Sequence, residues 1–490
     1  MNQEIQITKQ PSQRQRQQEP PPEDGATLHD HTSQDQEHLH RGEQSGGAAA
    51  AAGGHRPSSK LTALQLVFLI YFEVAGGPYG AERAVMAAGP LFTLLGFLVF
   101  PFAWGVPESL VTAELSAALP GNGGFVRCVI NIAAYPALVA DYLGQVIPAV
   151  AGPGRTRTGA VAGMTALLSL VNCTGLSIVG WGAVALGLAS LAPFVLMTVM
   201  AAPKLRPRRW AAQVEGRKKD WRLFLNTLFW NLNYWDSAST MAGEVERPER
   251  TFPRALAVAV VLIAASYLLP LMAATGATDA PPEAWENGYL ADAAGIIGGP
   301  WLKYWMQASA VLSSIGMFEA QLSSGAYQLL GMADLGLLPS VFARRAARFR
   351  TPWVAIAASC AVTLAVSFLG FDDVVATANF LYSLGTLLEF AAFLWLRARL
   401  PELKRPYRVP LRLPALAAMC AVPSAFLVYV CAVAGWRVLA LAGALTVLGV
   451  GLHGAMRLCR SNKWLRFNAA AAVTATAEDG QGDRAAGHRV

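Results

Sequence analysis

The stretch YFEVAGGPYGAERAV (residues 71–85) closes the first long apolar run of the chain. It places Glu73 inside that run, then Gly76, Gly77, Pro78 and Gly80 where a membrane-length helix would still be going. Glycine lacks the Cβ that confines φ, and proline lacks the N–H of the helical ladder, so a break is expected here. Non-helical backbone and a carboxylate at membrane depth are tolerated only inside protein or along a cavity.

Composition sets that depth. The 490 residues are 54% hydrophobic and 14% charged, with mean hydropathy +0.36, against about 25% charged residues in a soluble domain. Apolar runs of the roughly 20 residues needed to cross a bilayer recur throughout. Twelve spans are read, at 61–84, 89–114, 124–150, 158–175, 177–202, 223–243, 253–275, 301–332, 352–370, 374–397, 413–434 and 436–459. Only the turn NCTG (172–175) divides the fourth from the fifth. The expectation is an all-α polytopic membrane protein.

Residues 1–59 belong to another class of sequence, with QRQRQQEPPPE, HDHTSQDQEHLH and GGAAAAAGG and no apolar periodicity. They and residues 461–490 are expected to be disordered tails, and the first span to direct insertion. His29, His31, His38 and His40 could bind a metal, but incidental histidines in a flexible tail are the plainer reading, and no metal or cofactor is expected. The six cysteines form no CxxC pair and read as core packing.

The net charge of +7 reads as loop charge rather than a nucleic-acid surface. The loop with Arg344, Arg345, Arg348 and Arg350, the loop with Lys404, Arg405 and Arg408, and the tail after the last span share one side. The 276–300 loop, on the other side, carries Asp279, Glu283, Glu286 and Asp292. The positive-inside rule then puts both termini in the cytosol. One segment objects: residues 203–222 hold eight Lys and Arg yet fall on the outer side, and nothing in the sequence accounts for them.

The informative charges lie within the spans: Glu73, Glu108, Asp141, Asp236, Glu319 and Glu389, with almost no Lys or Arg at comparable depth. Such groups mark ion or substrate pathways. Acids without bases must be protonated, solvated in a cavity, or paired with something that arrives, which suits proton coupling or a cationic solute. Glu108, Asp141 and Glu389 read equally well as protonated core groups. Glu73 and Asp236 sit beside helix breaks. The sixth span, LFWNLNYWDSAST (228–240), is interrupted by Asn231, Asn233, Asp236 and Ser237 five spans after the first break. Broken helices at matching positions of two repeats point to a transporter site. Trp230, Tyr234 and Trp235 there could pack against methylenes or face a cation.

FEVAGGPYG (72–80), PESLVTAEL (107–115), PGNGGFV (120–126), WNLNYWDSASTMAGEVERPERTFPRAL (230–256), YQLLGMADLGLLP (327–339) and RPYRVP (405–410) resemble the plant polyamine uptake transporters of the amino acid–polyamine–organocation superfamily. The likeness runs from about residue 60 to 460. It implies a LeuT-like five-plus-five inverted repeat (about 60–202 and 223–397) with discontinuous first and sixth helices, then two extra helices (about 413–459). It also implies a multi-pass cell-membrane symporter that imports putrescine, spermidine, spermine or related dications with protons. An enzyme is not expected, since the spans show no nucleophile–base constellation, phosphate loop or metal-ligand cluster.

Carried over by position, the resemblance makes Gly76, Gly77 and Gly80 the substrate-facing break, with Glu73 on the same cavity. Asp236 would bind substrate or respond to protons, as would Glu73. Trp230 would close over substrate, with Asn231 and Tyr234 beside it. Phe318, Glu319 and Tyr382 are further substrate-facing positions.

One departure stands out: roughly 20 residues, about one span in length, are absent where Val126, Arg127 and Cys128 run directly into VINIAAYPALVADYL. Two other readings stay open, the second of them because of this departure. One is a cationic or neutral amino-acid transporter of the same superfamily; the other is a sensor or scaffold that no longer transports.

Overall fold

The computed structural model describes residues 60–119, 134–144, 154–211, 218–367 and 371–468, with isolated positions 121, 132, 149 and 152. The tails, the Val126–Val129 junction and the 212–217 stretch lie outside the described residues, as does the side chain of Asp141.

The described elements are helical, and each of the twelve expected ranges overlaps at least one of them. Helices α1 (Ala63–Val74) and α2 (Glu82–Ala88) flank the first break, followed by α3 (Pro90–Ala118), α4 (Ala134–Gly144), α5 (Arg155–Asn172) and α6 (Leu176–Ala201). Next come α7 (Trp221–Asn231), a 3₁₀ helix (Ser237–Glu244) beyond the second break, and α8 (Pro248–Ala277). The rest are α9 (Tyr289–Gly298), α10 (Pro300–Asp334), α11 (Trp353–Val366), α12 (Phe371–Arg399), α13 (Leu413–Ala432) and α14 (Trp436–Ser461).

Six of these are long and apolar enough to cross a bilayer: α3, α6 (extended to Lys204), α8, α12 (from Val374), α13 and α14. The others fall short for physical reasons. The two broken spans are divided into pieces, and α10 turns Ser309, Ser313, Ser314, Glu319, Gln321, Ser323 and Ser324 into the protein interior. Lipid-facing positions such as Leu170, Val195, Val261 and Val450 are more than 60% exposed, which a bilayer but not water would accommodate.

One element was not expected. Residues 289–298 sit in what reads as an acidic loop, but fold into α9 between Gly288 (φ 95) and Gly299 (φ 92). Tyr289, Leu290, Ala293, Ala294 and Ile297 are buried, an i, i+3, i+4 stripe on a helix too short to span.

That region also supplies partners to the first part of the basic segment, residues 204–210. Lys204 Nζ donates to Ile297 O at the end of α9 (2.6 Å), and Arg209 pairs with Asp279 (3.2 Å). Trp210 Nε1 donates to Met272 O (3.0 Å), and the Arg206 N–H to Gly276 O (3.0 Å), both near the end of α8. Cations there meet helix C-termini and a carboxylate, both favourable partners. The segment and the acidic 276–300 region thus share a face, as the span count requires.

On the opposite face the two broken helices are tied together. Leu61 N–H donates to Glu244 O (2.9 Å), Glu246 N–H donates to Leu61 O (3.0 Å), and Arg345 pairs with Glu244 (2.6 Å).

Candidate functional site

At the first break the Ala75 and Gly76 N–H groups both reach back to Tyr71 O, and the chain leaves the helix through Gly76 (φ 63), Gly77 (φ 116) and Gly80 (φ 85). Glycine is required twice over. A Cβ on Gly76 would stand 2.5 Å from Met317 Sδ, and one on Gly80 2.6 Å from the Trp230 ring. The freed carbonyls find partners on other helices: Gly76 O accepts from Ser313, Glu73 O from Gln321 Nε2 (3.0 Å), and Ala75 O from Tyr267 (3.4 Å). At the start of α2, the Glu82 carboxylate accepts from Gly80 N–H (2.7 Å) and Gly288 N–H (3.2 Å).

The second break is held differently. Tyr234 takes φ 68 without being glycine, a conformation that costs about 1–2 kcal/mol. Its N–H donates to Tyr382 Oη (2.9 Å), and the two rings lie 4.4 Å apart. The Tyr382 hydroxyl in turn bonds the Glu108 carboxylate. Asn233 Nδ2 donates to Asn379 Oδ1 (3.1 Å). Tyr267 Oη lies 2.9 Å from Asn231 O, so this one hydroxyl stands between both breaks.

The acids behind the breaks are poorly matched. Glu73 is 2% exposed; its Oε1 accepts from Ser324, and its Oε2 has no hydrogen-bond partner among the described residues. Glu319 Oε2 accepts from Asn172 Nδ2 (3.0 Å), while its Oε1 likewise has none. Asp236 is half-buried and close enough for its charge to act on Glu73. Among the described residues the guanidinium groups of Arg397 and Arg405 are buried, their side chains 4% and 5% exposed. Both serve a different acid, Glu114, at 2.7 Å and 3.1 Å.

Two cavities meet at Trp230. The outer one, about 230 Å³, is lined by Arg83, Arg222, Asn226, Asn287 and Phe380 among others. The inner one has room of about 20 Å³, lined by Ala75, Tyr135, Asn231, Ser314 and Met317 among others, enough for about one water. Gly80, Trp230 and Asn287 line both. The indole therefore partitions them.

Of the candidate residues, Gly80, Trp230 and Asn231 are on the cavities, whereas Gly76, Gly77 and Glu73 form the adjoining break. Tyr234 and Tyr382 pair behind the second break, and Glu319 turns toward α5. Phe318 is fully buried and lines neither cavity. Residues that sequence reasoning passed over are Glu82, Tyr267, Asn172 and the α10 polar set Ser313, Gln321 and Ser324. The α10 serines left a trace, polar residues recurring within an apolar run. Tyr267 left none.

The sequence profile of a family described as amino acid permease matches residues 125–448. Polyamine transporter PUT1 of Oryza sativa subsp. japonica is 46% identical over 449 residues, covering 87% of this chain and 84% of that protein. Polyamine transporter RMV1 of Arabidopsis thaliana is 44% identical over 431 residues, covering 84% and 88%. A methylthioribose transporter of Bacillus subtilis is 23% identical over 379 residues, covering 70% and 80%.

Proposed function

Because the chain belongs to the amino acid permease family, we propose that it is a proton-coupled secondary transporter that imports polyamines across the cell membrane, with both termini in the cytosol. Its relatives named polyamine transporters, at 44–46% identity over most of the chain, support the substrate class. In this reading residues 60–202 and 223–397 are inverted repeats whose broken helices move against each other, and the helices after 413 are additions.

The observation that carries the reading is the pair of buried acids, Glu73 and Glu319, whose charge no base among the described residues meets. Glu73 and Glu319 each keep a buried oxygen without a hydrogen bond among the described residues, and Asp236 stands near Glu73. An arriving ammonium group satisfies such oxygens and offsets their desolvation. The methylenes of the solute would lie against Trp230, whose indole must swing away from Gly80 to join the two cavities. Protonation of one carboxylate would then release the cation inward.

The test is radiolabelled spermidine uptake by the full chain in proteoliposomes, with an acidic outside. Uptake should rise with the proton gradient and collapse in Asp236→Asn. Unchanged uptake in that variant would remove Asp236 from the site, and indifference to the gradient would remove the coupling.

One observation favours a second reading, a zwitterionic amino-acid substrate: Arg83 and Arg222 line the outer cavity and would suit a carboxylate. Competition of spermidine uptake by arginine as strongly as by putrescine would favour it.

A further inference from the structure

The motif RPYRVP (405–410) has no part in the site above. It lies in the loop between α12 and α13, where a cavity of about 330 Å³ is lined by Arg397, Arg408, Arg412, Leu411, Leu413 and Leu416 among others. The Arg397 side chain is 4% exposed. Its Nη2 donates to Glu114 Oε2 (2.7 Å) and Val409 O (2.8 Å), while its buried Nε–H has no hydrogen-bond partner among the described residues. Arg405 is already committed: Nε faces Glu114, and its other nitrogens donate to Leu396 O (2.9 Å) and Leu400 O (3.0 Å).

Arg408 and Arg412 are exposed, and neither side chain has a hydrogen bond or ion pair among the described residues. Positive charge is therefore in excess. Burial first, and then the charges of Arg397 and Arg408, hold the Arg405 guanidinium below its ordinary value despite Glu114. The rim is apolar: Leu411 and Leu413 are 40% and 42% exposed beside the arginines, where α13 begins.

We propose that this cavity holds the phosphate group of an anionic membrane lipid, the phosphate against Arg397, Arg408 and Arg412 and the acyl chains over Leu411 and Leu413. Arginine forks match phosphate oxygens, and basic pockets between membrane helices suit phosphorylated headgroups. A site for a soluble phosphate would not need two exposed leucines at its rim. The inference depends on the chain crossing a membrane, not on what it transports.

The test is native mass spectrometry of the full chain in neutral detergent, titrated with dioleoyl phosphatidic acid or dioleoyl phosphatidylcholine. Phosphatidic acid should be retained in preference to phosphatidylcholine. The double variant R408A/R412A, which alters two exposed side chains, should weaken it by about 30-fold. R344A/R348A removes equal charge from the same face and should change it by less than about 3-fold. An unchanged affinity in R408A/R412A, or an equal loss in R344A/R348A, would overturn the proposal. So would displacement of the lipid by excess inorganic phosphate, which would assign the cavity to a soluble ligand.

Discussion

Glu73 and Glu114 are equally hidden, 2% and 1% exposed, yet they live in opposite electrostatic settings. Glu114 accepts from Arg397 and the Val409 N–H (2.9 Å) on one oxygen, and the other, which takes no hydrogen bond among the described residues, faces the Arg405 charge at 3.1 Å. Glu73 receives one serine hydroxyl on one oxygen and no hydrogen bond on the other among the described residues. Removing a carboxylate from water costs several kcal/mol, and only close opposite charge with further hydrogen bonds offsets that. The chain supplies this offset to Glu114 and withholds it from Glu73. A buried acid is thus no indicator of function by itself; the missing counter-charge is.

The largest effect should come from breaking the satisfied side. Glu114→Ala leaves Arg397 buried without its carboxylate, and stability should fall by about 3–5 kcal/mol, read as a lowered unfolding midpoint in detergent. The paired change E114L/R397M should recover most of it, since both charges leave together. An undiminished midpoint in Glu114→Ala would mean that the pair does not hold α3 to α12. The unsatisfied side should behave in reverse. Glu73→Gln keeps shape and hydrogen-bonding capacity, so the protein should stay folded while spermidine uptake falls by about 30-fold or more. Full uptake would show that Glu73 is only a packed core group.

The contrast between these acids was half legible in the sequence. Both breaks could be read from local chemistry, because glycine, proline and asparagine act on their own backbone. Each of the twelve ranges overlaps a described helix, as its apolar run predicted, although only six of the described helices are apolar over a full span. Partners were not legible: Glu114 and Arg397 are separated by 283 positions, and Glu73 and Ser324 by 251. A charge run likewise hides what it faces, so residues 203–222 looked misplaced until Ile297 O and Asp279 came against Lys204 and Arg209. Helix α9 was hidden by its acids and flanking glycines, although its buried stripe was present in the sequence.

The backbone beneath Glu73 should be the next most sensitive feature. Gly76→Ala forces an L side chain to φ 63 and pushes a Cβ against Met317. A loss of about 2–3 kcal/mol in stability follows from the left-handed backbone and the overpacking together. An unfolding midpoint equal to that of the unmodified chain would mean that α10 gives way at no cost, and that the break is less fixed than its hydrogen bonds imply.

The smallest effect should be Ser324→Ala, which removes the hydroxyl on Glu73 Oε1 and nothing larger. One hydrogen bond to a charged or protonated carboxyl is worth about 1–2 kcal/mol. If that bond only orients Glu73, uptake should drop by less than about 5-fold and remain well above that of Glu73→Gln. Equal losses in the two variants would mean that Glu73 acts by gripping α10, as Glu114 grips its arginines. The two acids would then differ in strength of attachment rather than in kind.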